Sequence, residues 1–318
     1  MKKFAVGIDI GGTNTGFGFA DFLGNCFAKA SIKTGDFDDV NDFVKVLSDK
    51  IKLQLQTLSD AEIVGIGIGA PNGNYYRGTI EMAPNLKWKG IVPLAEMFQK
   101  EFQLPVLLTN DANAAAIGEM VYGNAKGMKN FVVITLGTGV GSGIVVNGEL
   151  VYGHDGFAGE IGHTTVYPGG RICGCKRKGC LEAYCSASGI VRSYLEYLGK
   201  EGLEPQIPIE KVNPKYIFEK AKAKEPAALK TYQKTGKILG MALANTVAHL
   251  SPEAIFMFGG ITNSGNLIFD PIIKSFEKNL LEIFKSKIKI LPSGLKENDA
   301  AILGAASMIW KELNKDKF

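Results

Sequence analysis

The amino-acid sequence predicts an α/β protein of two lobes, and three observations carry that prediction. Strand-like and helix-like segments alternate along the chain, a pattern that builds mixed sheets covered by helices. A strand–glycine turn–strand unit occurs twice, near the N-terminus and near the middle, as one copy per lobe would give. The length of 318 residues is long for one hydrophobic core and comfortable for two.

The elements follow in order. Phe4 to Ile10 is an apolar run that breaks at Gly11-Gly12-Thr13-Asn14 and resumes as Phe17-Gly18-Phe19-Ala20. Val40 to Leu58 carries Phe43, Leu47, Ile51 and Leu55 at helical spacing. Ile63 to Ile68 reads as a buried strand and Pro105 to Leu108 as a short one. Asn110-Asp111 then opens a helix over Ala112 to Met120. Phe131 to Leu136 breaks at Gly137-Thr138-Gly139-Val140-Gly141-Ser142-Gly143 and resumes as Ile144-Val145-Val146-Asn147. Pro214 to Ala223 and Ala227 to Leu250 read as helices, and Ala254 to Phe258 as a strand ending at Gly259-Gly260. A helix over Pro271 to Phe284, a strand over Ile288 to Leu291 and a helix over Asp299 to Leu313 complete the pattern. No linker or low-complexity segment intervenes, so a ligand site is expected in a cleft between lobes. The first lobe is drawn as 1–118 joined by the C-terminal helix 299–318, the second as 119–298.

Composition excludes several classes. Apolar content of 46% with 21% charged residues is ordinary for a soluble globular chain. A net charge of +4 is too small and dispersed for a nucleic-acid partner, the one tight basic run being Lys176-Arg177-Lys178. The N-terminal apolar run is cut by Asp9 before it reaches signal-peptide length, and no stretch approaches a membrane span. A cytoplasmic location is expected. The 39 glycines are the compositional oddity, and they fall largely at strand ends, where backbones must approach something closely.

The densest chemistry lies between Gly159 and Glu182. The sequence reads Gly159-Glu160-Ile161-Gly162-His163, then Cys173-Gly174-Cys175, then Cys180-Leu181-Glu182. One imidazole and three thiolates close a tetrahedral zinc shell with no open position, which marks a structural metal rather than a catalytic one. Small buried reduced cysteines are the competing reading. The turn residues Pro168-Gly169-Gly170, Gly174 and Gly179 favour zinc, with a knuckle over 163–180 carrying Glu160 and Glu182. Disulfides are disfavoured by the odd count and the absence of secretion signals. Cys26 and Cys185 are read as bystanders.

Each glycine turn alone is explained by a tight hairpin. Two copies, with Asp9 just before the first, favour backbone N–H groups that cradle phosphate oxygens. A Rossmann fingerprint needs a helix after the glycines, whereas strands follow here; no Walker A ending and no protein-kinase signature occurs. Asp111 reads as a helix N-cap. An N-cap carboxylate is also held ionised and fixed in direction, so it can take a hydroxyl proton as that oxygen attacks a phosphoryl group.

Taken in order, Asp9-Ile10-Gly11-Gly12-Thr13, Asn110-Asp111-Ala112-Asn113, Leu136-Gly137-Thr138-Gly139, Gly159 to His163, the cysteine knuckle and Gly259-Gly260 form a specific set. Along essentially its whole length the chain resembles the ROK family of sugar kinases and sugar-responsive repressors. The resemblance implies the two-lobed actin-like ATPase fold, a duplicated ribonuclease H-like unit, with the zinc-stapled loop in the second lobe. It implies an ATP-dependent hexose kinase acting on the 6-hydroxyl of glucose, with Asp111 as general base. Asn110, Glu160, His163 and Glu182 resemble the residues that hold the sugar ring, and Gly69 and Asn85 stand where further sugar contacts are expected. His163 would serve both metal and sugar, one ring nitrogen each. Gly11, Gly12, Thr13, Asn14, Gly137, Thr138 and Gly139 would line the ATP phosphates, Asp9 would help hold magnesium, and Gly259 and Gly260 would face adenosine. A homodimer is expected by the same analogy.

Two residues depart from the family pattern. Asn14 stands where many of these kinases carry lysine, although asparagine is familiar there in related glucokinases. Asn72-Gly73 follows Pro71 where glycine more often comes directly, and this bears on sugar preference. Family repressors carry an N-terminal DNA-binding module, for which a first strand starting at Phe4 is expected to leave no room. The alternatives are a kinase for N-acetylmannosamine, fructose or allose, and a sugar sensor without turnover. An actin-like polymerising ATPase would need neither the sugar loop nor the knuckle.

Overall fold

The computed structural model describes residues 1–295 and 297–314. The chain divides into two compact units. One holds Met1–Lys129, 143–159 and the described residues from Ser293 onward; the other holds Asn130–Ser142 and Glu160–Pro292.

In the first unit, five strands lie in the order Cys26–Lys33, Asn14–Ala20, Lys2–Ile10, Ala61–Gly69, Val106–Thr109. The first hairpin is antiparallel, and Lys2–Ile10, Ala61–Gly69 and Val106–Thr109 run parallel. Phe4 to Ile8 are continuously buried, as a strand covered on both faces requires. The period of two still sorts the faces. Val6, Ile8 and Ile10 join Phe43, Leu47 and Ile51 of helix Val40–Leu55 in one core cluster. Ala5 joins Leu303, Ala306, Ile309 and Trp310 of helix Glu297–Leu313 in another. On that face the glycines are obligatory. A Cβ at Gly7 would stand 2.0 Å from the carbonyl oxygen of Ile302, and one at Gly67 would stand 1.9 Å from that of Ala305. These glycines sit within strands rather than at their ends, and what approaches them is the C-terminal helix.

The second five-stranded sheet repeats the plan in the order Glu149–Leu150, Val140–Val146, Phe131–Leu136, Ala254–Phe258, Lys289–Pro292. Phe131–Leu136 pairs in parallel with Ala254–Phe258, which pairs in parallel with Lys289–Pro292. Each sheet thus places a glycine-turn hairpin first and two parallel strands after it. Helices Pro226–Leu250 and Asn266–Asn279 pack closely, a Cβ at Gly240 falling 2.3 Å from the carbonyl oxygen of Ile272.

Several expectations need correction. The lobe boundary drawn at 118 falls inside helix Asp111–Tyr122, which stays whole in the first unit, and 143–159 also clusters there. The helix expected from Pro271 starts five residues earlier, after Gly265 in the left-handed region at φ +57, and ends at Asn279. Pro271 therefore sits inside it, against Gly236, rather than at its first turn. Helices Leu94–Phe102 and Ala187–Lys200 and strand Cys26–Lys33 were not anticipated. Residues 315–318 of the expected C-terminal helix lie outside the described residues. Among the described residues no helix is long and apolar enough to cross a membrane.

Candidate functional site

The parallel register sets the first group of side chains. Asp9 pairs with Gly69, and Gly69 with Thr109, so the three stand abreast at the C-terminal ends of their strands. Two residues on, helix Asp111–Tyr122 begins. Asn110, not Asp111 as expected, caps it, its side-chain oxygen accepting from the N–H of Asn113 at 2.7 Å, and Asp111 is the first helical residue. That bond leaves the Asn110 amide nitrogen to donate elsewhere. Asp111 Oδ1 accepts from the N–H of Ala112 at 2.8 Å, which fixes the carboxylate's direction.

The two carboxyls are tuned upward. Burial first, and repulsion from Asp111 second, push Asp9 up to about 6. Surrounding protein raises Asp111 above the ordinary carboxylate range, against the backbone N–H donors that lower it. Its side chain is nonetheless open to solvent, which moderates the rise.

The first glycine turn closes by an N–H bond from Gly11 to the Asn14 carbonyl at 2.9 Å. A Cβ on Gly12 would stand 2.6 Å from the backbone oxygen of Asn85, so Asn85 lies against this turn. In the second unit the Gly137 N–H reaches the Gly139 carbonyl at 3.0 Å. The N–H groups of Gly12, Thr13, Thr138 and Gly139 make no hydrogen bond among the described residues. Both turns therefore offer free donors, the property an anion needs. Gly259, at φ +109, abuts the last carbonyl before the second turn: a Cβ there would stand 2.4 Å from Leu136 O. Gly259 and Gly260 thus flank the Gly137–Gly139 turn.

Glu182 lies against that turn as well. Its Oε2 accepts from the Val140 N–H at 3.1 Å and would meet a Cβ on Gly139 at 2.6 Å. Its Oε1 accepts from the Cys173 thiol at 3.3 Å. The turn Ile161–His163 is seated on the same strand, since a Cβ on Gly162 would overlap the Val140 carbonyl at 1.9 Å and Ile161 N–H donates to Ser142 Oγ at 3.2 Å. His163 Nε2 lies 3.9 Å from Glu160 Oε2.

The ligating atoms of His163, Cys173, Cys175 and Cys180 all lie within 4.8 Å of one another. Cys175 and Cys180 sulfurs are 3.6 Å apart, and Cys173 Sγ is 3.7 Å from His163 Nδ1. A tetrahedral ion with metal–sulfur bonds of about 2.3 Å and metal–nitrogen bonds of about 2.0–2.1 Å has edges of about 3.8 and about 3.6 Å. The four residues fit such an ion, with Nδ1 inward and Nε2 left facing Glu160.

One residue of this region was missed by sequence reasoning. Arg171 is buried, and its guanidinium donates to the carbonyls of Ala183 and Gly189, to Ser193 Oγ and to Glu196, while lying 4.7 Å over the Tyr184 ring. It binds the knuckle to the short helix Glu182–Cys185 and the helix after it. No local signal marks it, since its partners lie 12 to 25 residues further along the chain.

With this geometry in hand, comparison with known proteins assigns the lineage. The ROK family sequence model matches residues 5–312. The chain belongs to the ROK family. It is 36% identical to a glucokinase of Halalkalibacterium halodurans, covering 98% of this chain and 96% of that protein. It is 29% identical to a xylose repressor of Caldicellulosiruptor bescii, covering 97% of this chain and 78% of the repressor. Among solved structures, a ROK family glucokinase from Streptomyces griseus in complex with glucose and AMPPNP superposes with a TM-score of 0.81 at 30% identity, covering 96% of this chain and 98% of that one. Such neighbours, with the two mixed sheets, fit the actin-like ATPase fold.

Proposed function

We propose that this ROK protein is an ATP-dependent hexose kinase that phosphorylates the 6-hydroxyl of glucose. The observation that carries the reading is its end-to-end similarity to glucokinases, one of them solved with glucose and AMPPNP. The local chemistry agrees with it.

Asp111 accepts the proton of the sugar's 6-hydroxyl as that oxygen attacks the γ-phosphorus. The new phosphorus–oxygen bond forms, the β–γ bridge breaks, and ADP departs with the bridging electrons. The free N–H groups of Gly12, Thr13, Thr138 and Gly139 receive the phosphates. Gly11, Asn14 and Gly137 shape these turns, and Gly259 and Gly260 face adenosine. Asp9, ionised above its pKa of about 6, holds the magnesium that accompanies ATP and offsets phosphate charge. Asn110 Nδ2, Glu160, His163 Nε2 and Glu182 hold the sugar ring, with Gly69 and Asn85 beside it. The place of Asn85 against the Gly12 turn suits a transfer in which sugar and phosphate must meet.

Zinc, when bound to His163, Cys173, Cys175 and Cys180, supplies geometry alone, since four protein ligands leave no site for substrate. Cys173 would hold such an ion as a thiolate and so would not donate to Glu182 Oε1, leaving that oxygen to accept from a sugar hydroxyl. Pairing of two chains belongs to the same proposal, and sedimentation equilibrium tests it directly.

The deciding experiment follows ADP release with MgATP across glucose, N-acetylmannosamine, fructose and allose, with product identified by NMR. Glucose turnover yielding the 6-phosphate supports the reading. Turnover of another hexose keeps the mechanism and changes the substrate. Sugar binding without turnover replaces the kinase by a sensor, the reading that similarity to a xylose repressor favours.

A further inference from the structure

Glu119 is the only acidic residue that is buried among the described residues, at 0% exposure, and it forms no ion pair there. It also sits three residues before the end of helix Asp111–Tyr122, where the helix dipole disfavours a negative charge. Two unfavourable circumstances in one residue call for a compensating set of donors, and the structure supplies it. Oε1 accepts from the N–H of Asn124 at 2.6 Å and from the N–H of Gly294 at 2.9 Å. Oε2 accepts from the hydroxyl of Ser293, whose oxygen in turn takes the N–H of Leu295 at 3.1 Å.

The surroundings are cleared for it. A Cβ on Gly123 would stand 2.5 Å from the Glu119 carboxyl carbon, and one on Gly294 would stand 2.7 Å from Asn124. At the residue just before Glu119, a Cβ on Gly118 would meet Gly304 of the C-terminal helix at 2.8 Å. The helix that begins with Asp111 is thus anchored at its start by Asn110, in its middle on Gly304, and at its end through Glu119.

What Glu119 holds is specific. Asn124 precedes the first passage of the chain out of the first unit, after Lys129, and Ser293 and Gly294 are the first residues after its final return. These are two of the four points at which the chain changes unit; the others are at 142–143 and 159–160. The outgoing segment leads into strand Phe131–Leu136, and the returning one follows strand Lys289–Pro292. A single carboxylate therefore ties both to the helix that starts at Asp111.

We propose that Glu119 is a positioning residue for phosphoryl transfer, pinning the outgoing and returning segments to the Asp111 helix. It touches neither substrate nor the reacting atoms. Removing the carboxylate leaves the N–H groups of Asn124 and Gly294 without their acceptor and loosens both segments together, with the base losing the anchor of its helix. The catalytic part of this claim rests on the reading of Asp111 as the base.

The test uses the full chain as Glu119→Ala, Glu119→Gln and Ser293→Ala, with hydrogen exchange, sugar affinity by calorimetry and steady-state kinetics. In folded Glu119→Ala, amide exchange should rise about ten-fold or more at 123–124 and 293–295 while strand Ala254–Phe258 stays protected. Its kcat should fall about 10- to 100-fold with sugar affinity within about three-fold, the split expected when only the alignment of a base is lost. Glu119→Gln should recover most of kcat, because its carbonyl still accepts both N–H groups and its NH2 can donate to Ser293. Should Glu119→Ala fail to fold, Ser293→Ala removes one donor and should show the same pattern more weakly. An unchanged kcat in a folded Glu119→Ala overturns the proposal. So does a kcat that merely tracks the folded fraction, or exchange that rises equally throughout the chain. A wild type that phosphorylates no hexose overturns the kinase reading instead, and the exchange pattern still decides whether Glu119 pins both segments.

Discussion

At the scale of single residues, two carboxyls are raised above their ordinary values. Asp9 is held at about 6, against 3.8 when unperturbed. The folded state therefore binds this proton more tightly than the unfolded chain does. Above pH 6 the ionised group opposes folding, and that penalty is relieved as pH falls from about 6 towards 3.8. The full difference corresponds to at most about 3 kcal/mol, less where water reaches the group. Asp9→Asn should therefore raise the melting temperature at pH 7 while magnesium-dependent turnover collapses, and calorimetry with kinetics would show both. For Asp111 the sign concerns activity. A base must be unprotonated, so kcat/KM should decline on acidification through a pKa above the usual carboxylate range, and a pH–rate profile measures it.

Gly69 separates packing from function at the same scale. A Cβ there would meet Ala114 Cβ at 3.4 Å, ordinary contact, with Asp111 Cα at 3.7 Å. Gly69→Ala should fold normally and, with the sugar ring lying against this strand end as proposed, weaken sugar binding about ten-fold, a difference of about 1.4 kcal/mol readable by calorimetry. Asn72, which departs from the family pattern, has a local explanation. It adopts φ +51, a conformation asparagine tolerates, and its amide donates to the carbonyls of Glu81 and Met82. It replaces a glycine's conformation and adds a clamp on the neighbouring strand.

At the scale of elements, the knuckle is held by the buried Arg171 and, in the proposed reading, by a metal on its four ligating side chains. Cys175→Ser should lose the metal and raise the sugar KM about ten-fold, while kcat changes less, because Glu160 and Glu182 lose part of their support. Metal analysis beside the kinetics checks it, and full affinity without metal would sink the idea. How much of this region was legible depended on distance along the chain. The cysteine and histidine spacing showed itself in one short stretch, as did the glycine turns and the Asn110-Asp111 helix start. Arg171's partners lie 12 to 25 residues away, and no local pattern announces such a network. The helix before Pro271 was placed too late because proline is most at home in a first turn, whereas packing against Gly236 keeps it in the second.

At the scale of the whole molecule, the duplicated sheets were legible because each opens with an apolar strand cut by glycines. The division into units was less so. The passage of 143–159 into the first unit depends on contacts such as the bond from Asn74 Nδ2 to the Asp155 carbonyl at 2.7 Å, which bridges residues far apart in sequence. The same holds for Gly7 and Gly67, whose partner helix comes at the other end of the chain. Gly67→Ala should cost more than about 3 kcal/mol or prevent folding, since a methyl 1.9 Å from the Ala305 carbonyl has nowhere to go, and urea unfolding against Gly69→Ala measures the contrast.

Asp111 is proposed as the base of a glucose 6-kinase. The most direct measurement is rapid-quench phosphorylation of glucose by MgATP in the wild type and in Asp111→Asn, with glucose affinity determined by calorimetry on both. Glucose 6-phosphate from the wild type, a chemical step slowed about 10²- to 10⁴-fold in the variant, and affinity held within a few-fold is the predicted result. A variant that phosphorylates glucose at the wild-type rate would contradict it.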